Sequence, residues 1–475
     1  MNGKKFYITC AIPYVNAAPH IGHALEFIQG DVIARYHALL GEDTRLLSGG
    51  DENALKNVQA AEKAGLPLQD FIDSNTKKFH DLTIALGCKF DIWQKGSDTE
   101  HHFKSSQTLW ERCKKEDIYS KSYEGLYCVG CETFYDPDEL NKNGECFEHP
   151  GKKLETVKET NYFFRLSAYQ DKILELIESG KLQIVPEKRK NEVVAFVKRG
   201  LDDISISRSN QRAKNWGVPV PNDESQRMYV WFDALNIYQS GVGFGWDDAQ
   251  YDKWWPADVH VIGKGITRFH AVYWPAFLLS AGLKLPKTIF VHEYFTVNGQ
   301  KMSKTLGNVI DPIGLIEKYG ADPIRYYFLA KFSPFNDGDF SEEEFKKTYN
   351  ADLANGLGNL VARVAKLCET NKVEVEQFSK PATLSYKTYM DSFEFNLALD
   401  EIWRTIKQLD IQVNGDAPWK LEIPEASKKL VEYIPFIRDI AYRLKPFLPE
   451  TSQKILAQFE GPMITTQEPL FPRLK

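Results

Sequence analysis

FYITCAIPYVNAAPHIGH, residues 6–23, is the stretch on which the fold assignment depends. Its first seven residues are apolar and rich in β-branched and aromatic side chains, which predicts a buried strand. Two prolines and an asparagine end that strand. Apolar residues then recur every three or four positions from Leu25 to Leu39, which predicts a helix. A strand, a short loop and a helix form the opening unit of an α/β nucleotide-binding fold.

Two histidines mark the start of this predicted helix. His20 and His23 are three residues apart and therefore share one face. The first turn of a helix carries unpaired backbone N–H groups and the positive end of the helix dipole. The dipole disfavours a protonated imidazole, so both rings should be neutral near pH 7 and can donate hydrogen bonds to phosphate. Taken alone, the pair is equally compatible with two solvated surface histidines.

The composition limits the class of protein. A chain of 475 residues predicts more than one domain, and 43 % hydrophobic and 26 % charged residues are usual for a globular protein. The absence of a long apolar run or a signal peptide, together with an odd number of cysteines (seven), predicts a cytoplasmic protein without membrane association. The net charge of −6 means that any nucleic-acid contact must use local basic patches.

Residues 1–113 alternate strand-like and helical patterns. A second strand candidate, residues 44–48, runs into Gly49, Gly50 and Asp51. Ligands of parallel sheets bind where strands end, so Asp51 is placed to hold a cationic amine. Its alternative role is to cap the helix predicted over residues 54–65.

The interval from 114 to 225 interrupts this alternation and carries two pairs of metal-ligand residues. Cys128 and Cys131 form one pair, Cys146 and His149 form the other, and fourteen residues separate them. Each pair can place two ligands on one tetrahedral ion, so the spacing predicts a structural zinc knuckle rather than buried free thiols.

The α/β pattern resumes at residue 226. The aromatic run MYVWFD, residues 228–233, is strand-like, and another strand ends in a glycine turn at Gly263. A helix over 268–280 and a strand over 288–292 follow. Tyr294 to Val297 with Asn298-Gly299 predicts a hairpin that leads into Lys301.

The last third of the chain is helical in pattern. Three amphipathic stripes, beginning at positions 353, 399 and 430, predict a helix bundle. Asn359 and Arg363 lie side by side off the first stripe, and Trp419 follows Pro418 in a loop. Such groups can read base edges and stack an unpaired base, although an ordinary surface pair and a packed loop aromatic remain alternatives.

Two short motifs carry a family resemblance. PHIGH at 19–23 and KMSKT at 301–305 resemble the HIGH and KMSKS signatures of class I aminoacyl-tRNA synthetases. Their flanks, AIPYVNAAPHIGH, YVWFDA and VHEYFTVNGQKMSKTLGN, resemble the methionyl-tRNA synthetase family over essentially the whole chain. The resemblance implies a Rossmann-like, parallel-sheet α/β catalytic domain with an inserted zinc-knuckle connective peptide, followed by an all-α anticodon-binding helix bundle. The implied segments are catalytic halves at 1–113 and 226–300, the connective peptide at 114–225, a KMSKS loop and stem-contact link at 301–345, and the helical domain at 346–475.

The resemblance also implies an activity. A ligase of this family activates methionine with ATP, accompanied by Mg²⁺, to methionyl-adenylate and pyrophosphate. It then transfers the methionyl group to the 3′ end of elongator and initiator tRNA(Met). The attacking carboxylate is already anionic, so the reaction needs positioning and charge stabilisation rather than a general base.

The family's functional positions match residues of this chain. The catalytic positions are His20, His23, Lys301 and Lys304. The ATP-binding positions are Gly22, Gly263 and Ser303. The methionine pocket matches Ala11, Ile12, Tyr14, Asp51, Trp231, Ala234, Leu235, Tyr238 and His292. The anticodon readers match Asn359, Arg363 and Trp419, and the ligands of one structural Zn²⁺ match Cys128, Cys131, Cys146 and His149.

Two positions depart from the family pattern, and other activities stay open. Gly265 stands where an aspartate is frequent, and Leu235 replaces a frequent proline. The alternatives are another class I synthetase of the cysteinyl type, a HIGH-type nucleotidyltransferase that does not use tRNA, and a non-catalytic nucleic-acid-binding module. Some relatives dimerise through an extra C-terminal domain that does not follow here, so we expect a monomer.

His23→Ala or Lys304→Ala is expected to lower the rate of amino-acid activation at least a hundredfold, with the fold intact. Each change removes a donor to the transferring phosphate, which is worth roughly 3–4 kcal/mol in the transition state. ATP–pyrophosphate exchange measures this rate. Exchange near the wild-type rate in either variant contradicts the assignment.

Overall fold

A computed structural model describes residues 4–131, 133–302, 307–376 and 384–475, apart from the side chains of Tyr123 and Lys301. The strands are β1 (Lys5–Cys10), β2 (Asp43–Gly50), β3 (Ile92–Lys95), β4 (Ile118–Cys128), β5 (Thr133–Tyr135), β6 (Glu155–Phe164), β7 (Gln183–Val185), β8 (Ile204–Ser205), β9 (Ser207–Ser209), β10 (Pro219–Val220), β11 (Asp223–Met228), β12 (Val259–Gly263), β13 (Thr288–His292), β14 (Phe295–Val297), β15 (Gln300–Lys301) and β16 (Gly338–Phe340).

The α-helices are α1 (Ile21–Leu39), α2 (Leu55–Ala64), α3 (Leu68–Ala85), α4 (His102–Arg112), α5 (Gln170–Glu178), α6 (Glu187–Lys198), α7 (Asn210–Ala213), α8 (Val230–Ser240), α9 (Asp248–Trp254), α10 (Trp274–Ser280), α11 (Pro312–Tyr319), α12 (Ala321–Ala330), α13 (Glu342–Thr348), α14 (Asn359–Thr370), α15 (Lys387–Asp391), α16 (Phe395–Asp416), α17 (Ile423–Leu444) and α18 (Pro449–Gln458). Two π-helical segments, Phe269–Tyr273 and Tyr349–Gly358, precede α10 and α14.

The chain forms two compact units. The first unit contains residues 1–19, 41–83 and 89–292, and the second contains residues 20–40, 84–88 and 293–475. In the described ranges, no helix combines the length and the apolar content that a bilayer-spanning helix needs.

A six-stranded parallel sheet forms the centre of the first unit. Its strand order is β3-β2-β1-β12-β13-β7, and every neighbouring pair is parallel. The order runs outward from β1 in one direction and from β12 in the other, so the sheet reverses between these two strands. This confirms the predicted α/β fold and places a topological switch point, where ligands usually bind, at the carboxyl ends of β1 and β12.

Two strands of this sheet, β1 and β12, show why continuous apolar runs predicted them. Phe6 to Cys10 in β1 and all of β12 are buried without an inside–outside alternation. Such runs are typical of parallel strands that are covered on both faces.

Residues 114–228 build two small sheets. One has the order β5-β4-β6-β8, with a ten-residue antiparallel register between β4 and β6, and the other has the order β10-β11-β9. The same interval contributes β7, which pairs in parallel with β13 at the edge of the main sheet.

The strand predicted over residues 228–233 is wrong. β11 ends at Met228, and Val230 to Ser240 form the helix α8. Every residue of α8 is buried, its first turn has only apolar and aromatic residues before Asp233, and the polar residues Asn236 and Gln239 lie beyond the predicted stretch. An aromatic and apolar run of this kind cannot be told from a buried strand by its pattern.

The described residues between 346 and 475, in the second unit, are largely helical, as predicted. All residues of the second and third predicted stripes are buried, as are Leu353, Leu357, Leu360 and Val364 of the first. The predicted hairpin is β14 and β15, with Asn298 at φ 50° and Gly299 at φ 73°. Positive φ at both central positions is the geometry of a type I′ turn, which Asn-Gly favours.

A buried arginine ties three parts of the second unit together. Arg325 on α12 is fully buried and pairs with Asp31 on α1 at 2.7 Å. Its guanidinium also donates to the backbone oxygens of Phe447, at 2.7 Å, and Pro446, at 2.9 Å. Because a buried charge must be compensated, this set of bonds fixes α1, α12 and the turn after α17 in one arrangement.

Arg325→Met is expected to lower the free energy of unfolding by about 3 kcal/mol, since it removes one cation from the buried Asp31 carboxylate, which Arg35 also contacts at 2.7 Å. Lys331→Met is the matched control, because its 2.8 Å pair with Asp352 is partly exposed and should contribute less than about 1 kcal/mol. Urea denaturation of the two variants measures the difference. Equal losses in both variants contradict the prediction.

Candidate functional site

The carboxyl-terminal edge of the parallel sheet collects the predicted pocket residues of the first unit. Ala11, Ile12 and Tyr14 follow β1 and Asp51 follows β2, while Gly263 and His292 end β12 and β13. A parallel bridge joins Tyr14 to Asp51, and the Asp51 amide donates to the oxygen of Pro13 at 2.9 Å. These residues therefore share one edge although they are far apart in the sequence.

Asp51 is buried, with an exposed fraction of 4 %. The helix α2 begins at Leu55, and its N-cap residue is Ala54, which makes no side-chain cap bond. Asp51 therefore does not cap this helix, and the alternative role for its carboxylate is wrong. Its backbone oxygen accepts a 2.8 Å bond from Asn57 Nδ2, which fixes the loop before α2.

The helix α8 supplies the aromatic wall beside this edge, and Trp231, Ala234, Leu235 and Tyr238 all lie on it. The Trp231 ring stacks on Phe269, with centroids 3.7 Å apart and planes 6° apart. Tyr14 meets Trp231 edge to face at 6.3 Å. The structure thus brings Tyr14 and Trp231 together as an aromatic pair, with Phe269 stacked on the indole.

A histidine that the sequence did not single out orients Tyr238. His270 Nδ1 lies 3.0 Å from the backbone oxygen of Ile266, and His270 Nε2 lies 2.7 Å from the Tyr238 hydroxyl. Since a carbonyl only accepts, Nδ1 carries the proton and Nε2 accepts from Tyr238. Burial lowers the pKa of His270 to about 4, which keeps this ring neutral.

Phe269 and His270 both belong to the π-helical segment that precedes α10. Such segments are frequent at functional sites. The sequence shows only an apolar helix there, and no local pattern distinguishes a π-turn from an α-turn, so these two residues were missed.

The two signature histidines lie at the start of α1, in the second unit. His20 is the N-cap, and its Nδ1 accepts from the Gly22 amide at 3.1 Å, while His23 Nδ1 accepts from the His20 amide at 3.2 Å. Their rings are 3.9 Å apart. Because both Nδ1 atoms are acceptors, the proton of each neutral ring lies on Nε2. The helix start therefore presents two Nε2–H donors side by side.

Gly22 is required by this arrangement, because a Cβ there would lie 2.9 Å from His20 Cε1. The same Cβ would lie 3.9 Å from Met302 Cε, so Met302 comes close to the signature turn. The backbone of Lys301 belongs to β15, but its side chain and all of Ser303 and Lys304 lie outside the described residues.

Cys128, Cys131, Cys146 and His149 form one compact cluster, with all four ligand atoms within 4.8 Å of one another. The separations between sulfur and Nδ1 atoms include 3.2 Å for Cys128–Cys146, 3.7 Å for Cys131–Cys146 and 3.2 Å for Cys131–His149. Zinc bonds of about 2.3 Å to sulfur and 2.0 Å to nitrogen place the corners of a tetrahedron roughly 3.5–3.8 Å apart. The donor set and its spacing therefore fit a single zinc ion.

The surroundings of the cluster support thiolate ligands. The Tyr135 hydroxyl donates to Cys131 Sγ at 3.2 Å, and the His149 amide donates to Cys146 Sγ at 3.2 Å. The Cys128–Cys131 turn passes directly over the imidazole, since a Cβ on Gly130 would lie 2.6 Å from His149 Cδ2. Only glycine lets the turn and the fourth ligand come this close.

In the helical part of the second unit, Arg363 and Trp419 meet. Asn359 is exposed at the start of α14, and Arg363 lies one turn further along. The Arg363 guanidinium donates to Asp410 at 2.7 Å and to Asn414 at 2.6 Å, and its carbon lies 5.9 Å from the Trp419 ring. Trp419 is 47 % exposed, so its indole leaves a face open beside a fixed cation.

Known proteins are similar to this chain over nearly its whole length. The family model described as "tRNA synthetases class I (M)" matches residues 6–365. A methionine–tRNA ligase of Brucella melitensis is 40 % identical and covers 97 % of this chain and 93 % of its own length. That of Thermotoga maritima is also 40 % identical, over 95 % of this chain and 74 % of the relative.

Solved structures agree with the sequence comparison. The methionyl-tRNA synthetase of Mycobacterium tuberculosis in complex with methionyl-adenylate superposes with a TM-score of 0.92 at 37 % identity. It covers 99 % of this chain, which in turn covers all of that structure.

Proposed function

The chain belongs to the family of class I tRNA synthetases (M), and we propose that it activates methionine with ATP and transfers the methionyl group to the 3′ end of tRNA(Met). One observation carries this proposal: a structure that holds methionyl-adenylate is similar to this chain over 99 % of its length. The carboxyl edge of the parallel sheet, where Asp51, His292 and the aromatic pair lie, is the site at which such a ligand binds in folds of this class.

The pocket suits a long, uncharged thioether. Methionine offers no charge on its side chain and no strong donor, so the site must use shape and sulfur–aromatic contacts, worth about 0.3–1.5 kcal/mol each. We assign the aromatic surface to Tyr14, Trp231 and Tyr238, and the binding of the α-ammonium group to the carboxylate of the buried Asp51. Discrimination by one methylene reaches only about 10–200-fold, so homocysteine remains a competitor.

Activation needs donors that face the phosphates rather than a base. The methionine carboxylate attacks the α-phosphorus of ATP, and pyrophosphate leaves. We assign the Nε2–H groups of His20 and His23 to the phosphate oxygens, where they stabilise the charge that grows in the transition state. Lys301 and Lys304 complete this set with cationic side chains, Gly22, Gly263 and Ser303 contact ATP, and Mg²⁺ accompanies the nucleotide.

We assign one structural Zn²⁺ to Cys128, Cys131, Cys146 and His149. A full set of four protein ligands leaves no open position, so the ion orders the connective segment and takes no part in the chemistry.

Gly130→Ala is expected to weaken zinc retention by about 10–100-fold, because the added methyl group displaces the His149 ring from its coordinating position. Zinc retention is measured by competition with a chromophoric chelator, and circular dichroism checks the fold. Val129→Ala, a change in the same turn that adds no atom, is the control and should retain zinc as the wild type does. Equal retention in Gly130→Ala and the wild type contradicts the tetrahedral arrangement.

We assign anticodon recognition to Asn359, Arg363 and Trp419. The exposed amide and the fixed guanidinium can bond base edges, and the open indole face can stack one unpaired base. Both elongator and initiator tRNA(Met) carry the CAU anticodon that the family reads. We further propose that the enzyme acts as a monomer in the cytoplasm, and a sedimentation mass of two chains contradicts the first of these statements.

Trp419→Ala is expected to lower kcat/KM for tRNA(Met) about 5–150-fold, since stacking on an aromatic side chain is worth about 1–3 kcal/mol per base. Aminoacylation of a tRNA(Met) transcript measures this effect. Phe436→Ala, which removes a ring that is 48 % exposed on α17, is the matched control and should charge tRNA normally.

The proposed function requires that the wild-type enzyme charge the CAU transcript with methionine. The assignment of Trp419 requires that tRNA-free exchange be unchanged in Trp419→Ala. Failure to charge this transcript contradicts the proposed function. Equal loss of exchange and charging contradicts the assignment of Trp419 to the anticodon.

A further inference from the structure

One lysine connects the zinc-ligand turn to the aromatic pair of the pocket. Lys56 Nζ lies 2.9 Å from the centroid of the Tyr14 ring and also donates to the backbone oxygen of Gly130 at 3.0 Å. Beside it, Trp231 Nε1 donates to the backbone oxygen of Cys131 at 3.5 Å. Two successive carbonyl groups of the Cys128–Cys131 turn therefore accept from Lys56, which lies on the Tyr14 ring, and from Trp231 itself.

The position of Lys56 is itself constrained. It is the second residue of α2, whose start is fixed by the bond from Asn57 to the Asp51 backbone. Its side chain is half-buried, and an ammonium group removed from water is attracted strongly to a ring face. The ammonium group therefore acts as a fixed point between the Tyr14 ring and the turn, rather than as a solvated surface charge.

We propose that Lys56 is a positioning residue for methionine: it holds the Tyr14 ring of the Tyr14–Trp231 pair against the Cys128–Cys131 turn. This inference rests on the proposed function. Lys56 acts through Tyr14, so it sets the shape of the pocket and contributes no group to phosphate chemistry. Because Lys56 also bonds Gly130, the conformation of the Cys128–Cys131 turn influences the position of the Tyr14 ring in the methionine pocket.

The test compares substitutions of two lysines on the same helix. Lys56→Met keeps the length of the side chain and removes both contacts, while Lys56→Arg keeps a cation and a donor. Lys63→Met makes the same change at an exposed position of α2 and is the matched control. The measurements are KM for methionine, KM for ATP and kcat in ATP–pyrophosphate exchange, with the dissociation constant for methionine from calorimetry and the zinc content of each variant.

Lys56→Met is expected to raise KM and the dissociation constant for methionine about tenfold, which is the size of a desolvated cation–π contact. KM for ATP, kcat and zinc content should stay at wild-type values. Lys56→Arg should recover most of the affinity, and Lys63→Met should match the wild type. Unchanged methionine affinity in Lys56→Met, or equal changes in the methionine and ATP constants, overturns the proposal.

A double-mutant cycle separates positioning from a general effect on the fold. Tyr14→Leu removes the ring on which Lys56 acts, so adding Lys56→Met to it should change methionine affinity less than twofold. A full tenfold further loss in the double variant overturns the proposal as well. Because every comparison is made within protein that is active towards methionine, a wild-type enzyme that fails to exchange with methionine refutes the proposed function, whereas unaltered Lys56 variants of an active enzyme refute only this inference.

Discussion

All six strands of the central sheet run in one direction, and the rest of the candidate site depends on that constraint. Parallel strands deliver their carboxyl ends to a single edge, so loops that follow β1, β2, β12 and β13 meet there. The reversal of strand order between β1 and β12 opens a crevice at this edge. Residues from four distant segments thereby lie at one edge of the sheet, Asp51 and His292 among them.

Backbone amides at the start of α1 determine how the two signature histidines are oriented. At the start of α1, the backbone N–H groups of Gly22 and His20 donate to the Nδ1 atoms of His20 and His23. The same bonds select the tautomer that leaves Nε2–H groups as donors. The bonds at the helix start therefore also orient the donors that we assign to phosphate, and Gly22 leaves space for the His20 ring.

Local patterns in the sequence predicted much of this structure because the interactions behind them are local. Continuous apolar runs predicted β1 and β12, Asn298-Gly299 predicted the hairpin, and the cysteine spacing predicted a metal-ligand set whose atoms lie within 4.8 Å. The pattern failed at α8, because residues 228–233 are an apolar and aromatic run that resembles a buried strand. It also could not reveal His270 or Lys56, because each acquires its role from a partner that is distant in the sequence, Tyr238 or Gly130. The family resemblance, rather than periodicity, singled out Tyr14 and Trp231 among many buried aromatics.

The central claim is that the edge of the parallel sheet binds methionine for activation by ATP. The most direct measurement is ATP–pyrophosphate exchange with each of the twenty amino acids in turn, in the presence of Mg²⁺ and without tRNA. The account predicts exchange that is stimulated strongly by methionine and at background level with the other nineteen. Exchange driven by another amino acid, or none at all in folded protein, would contradict it.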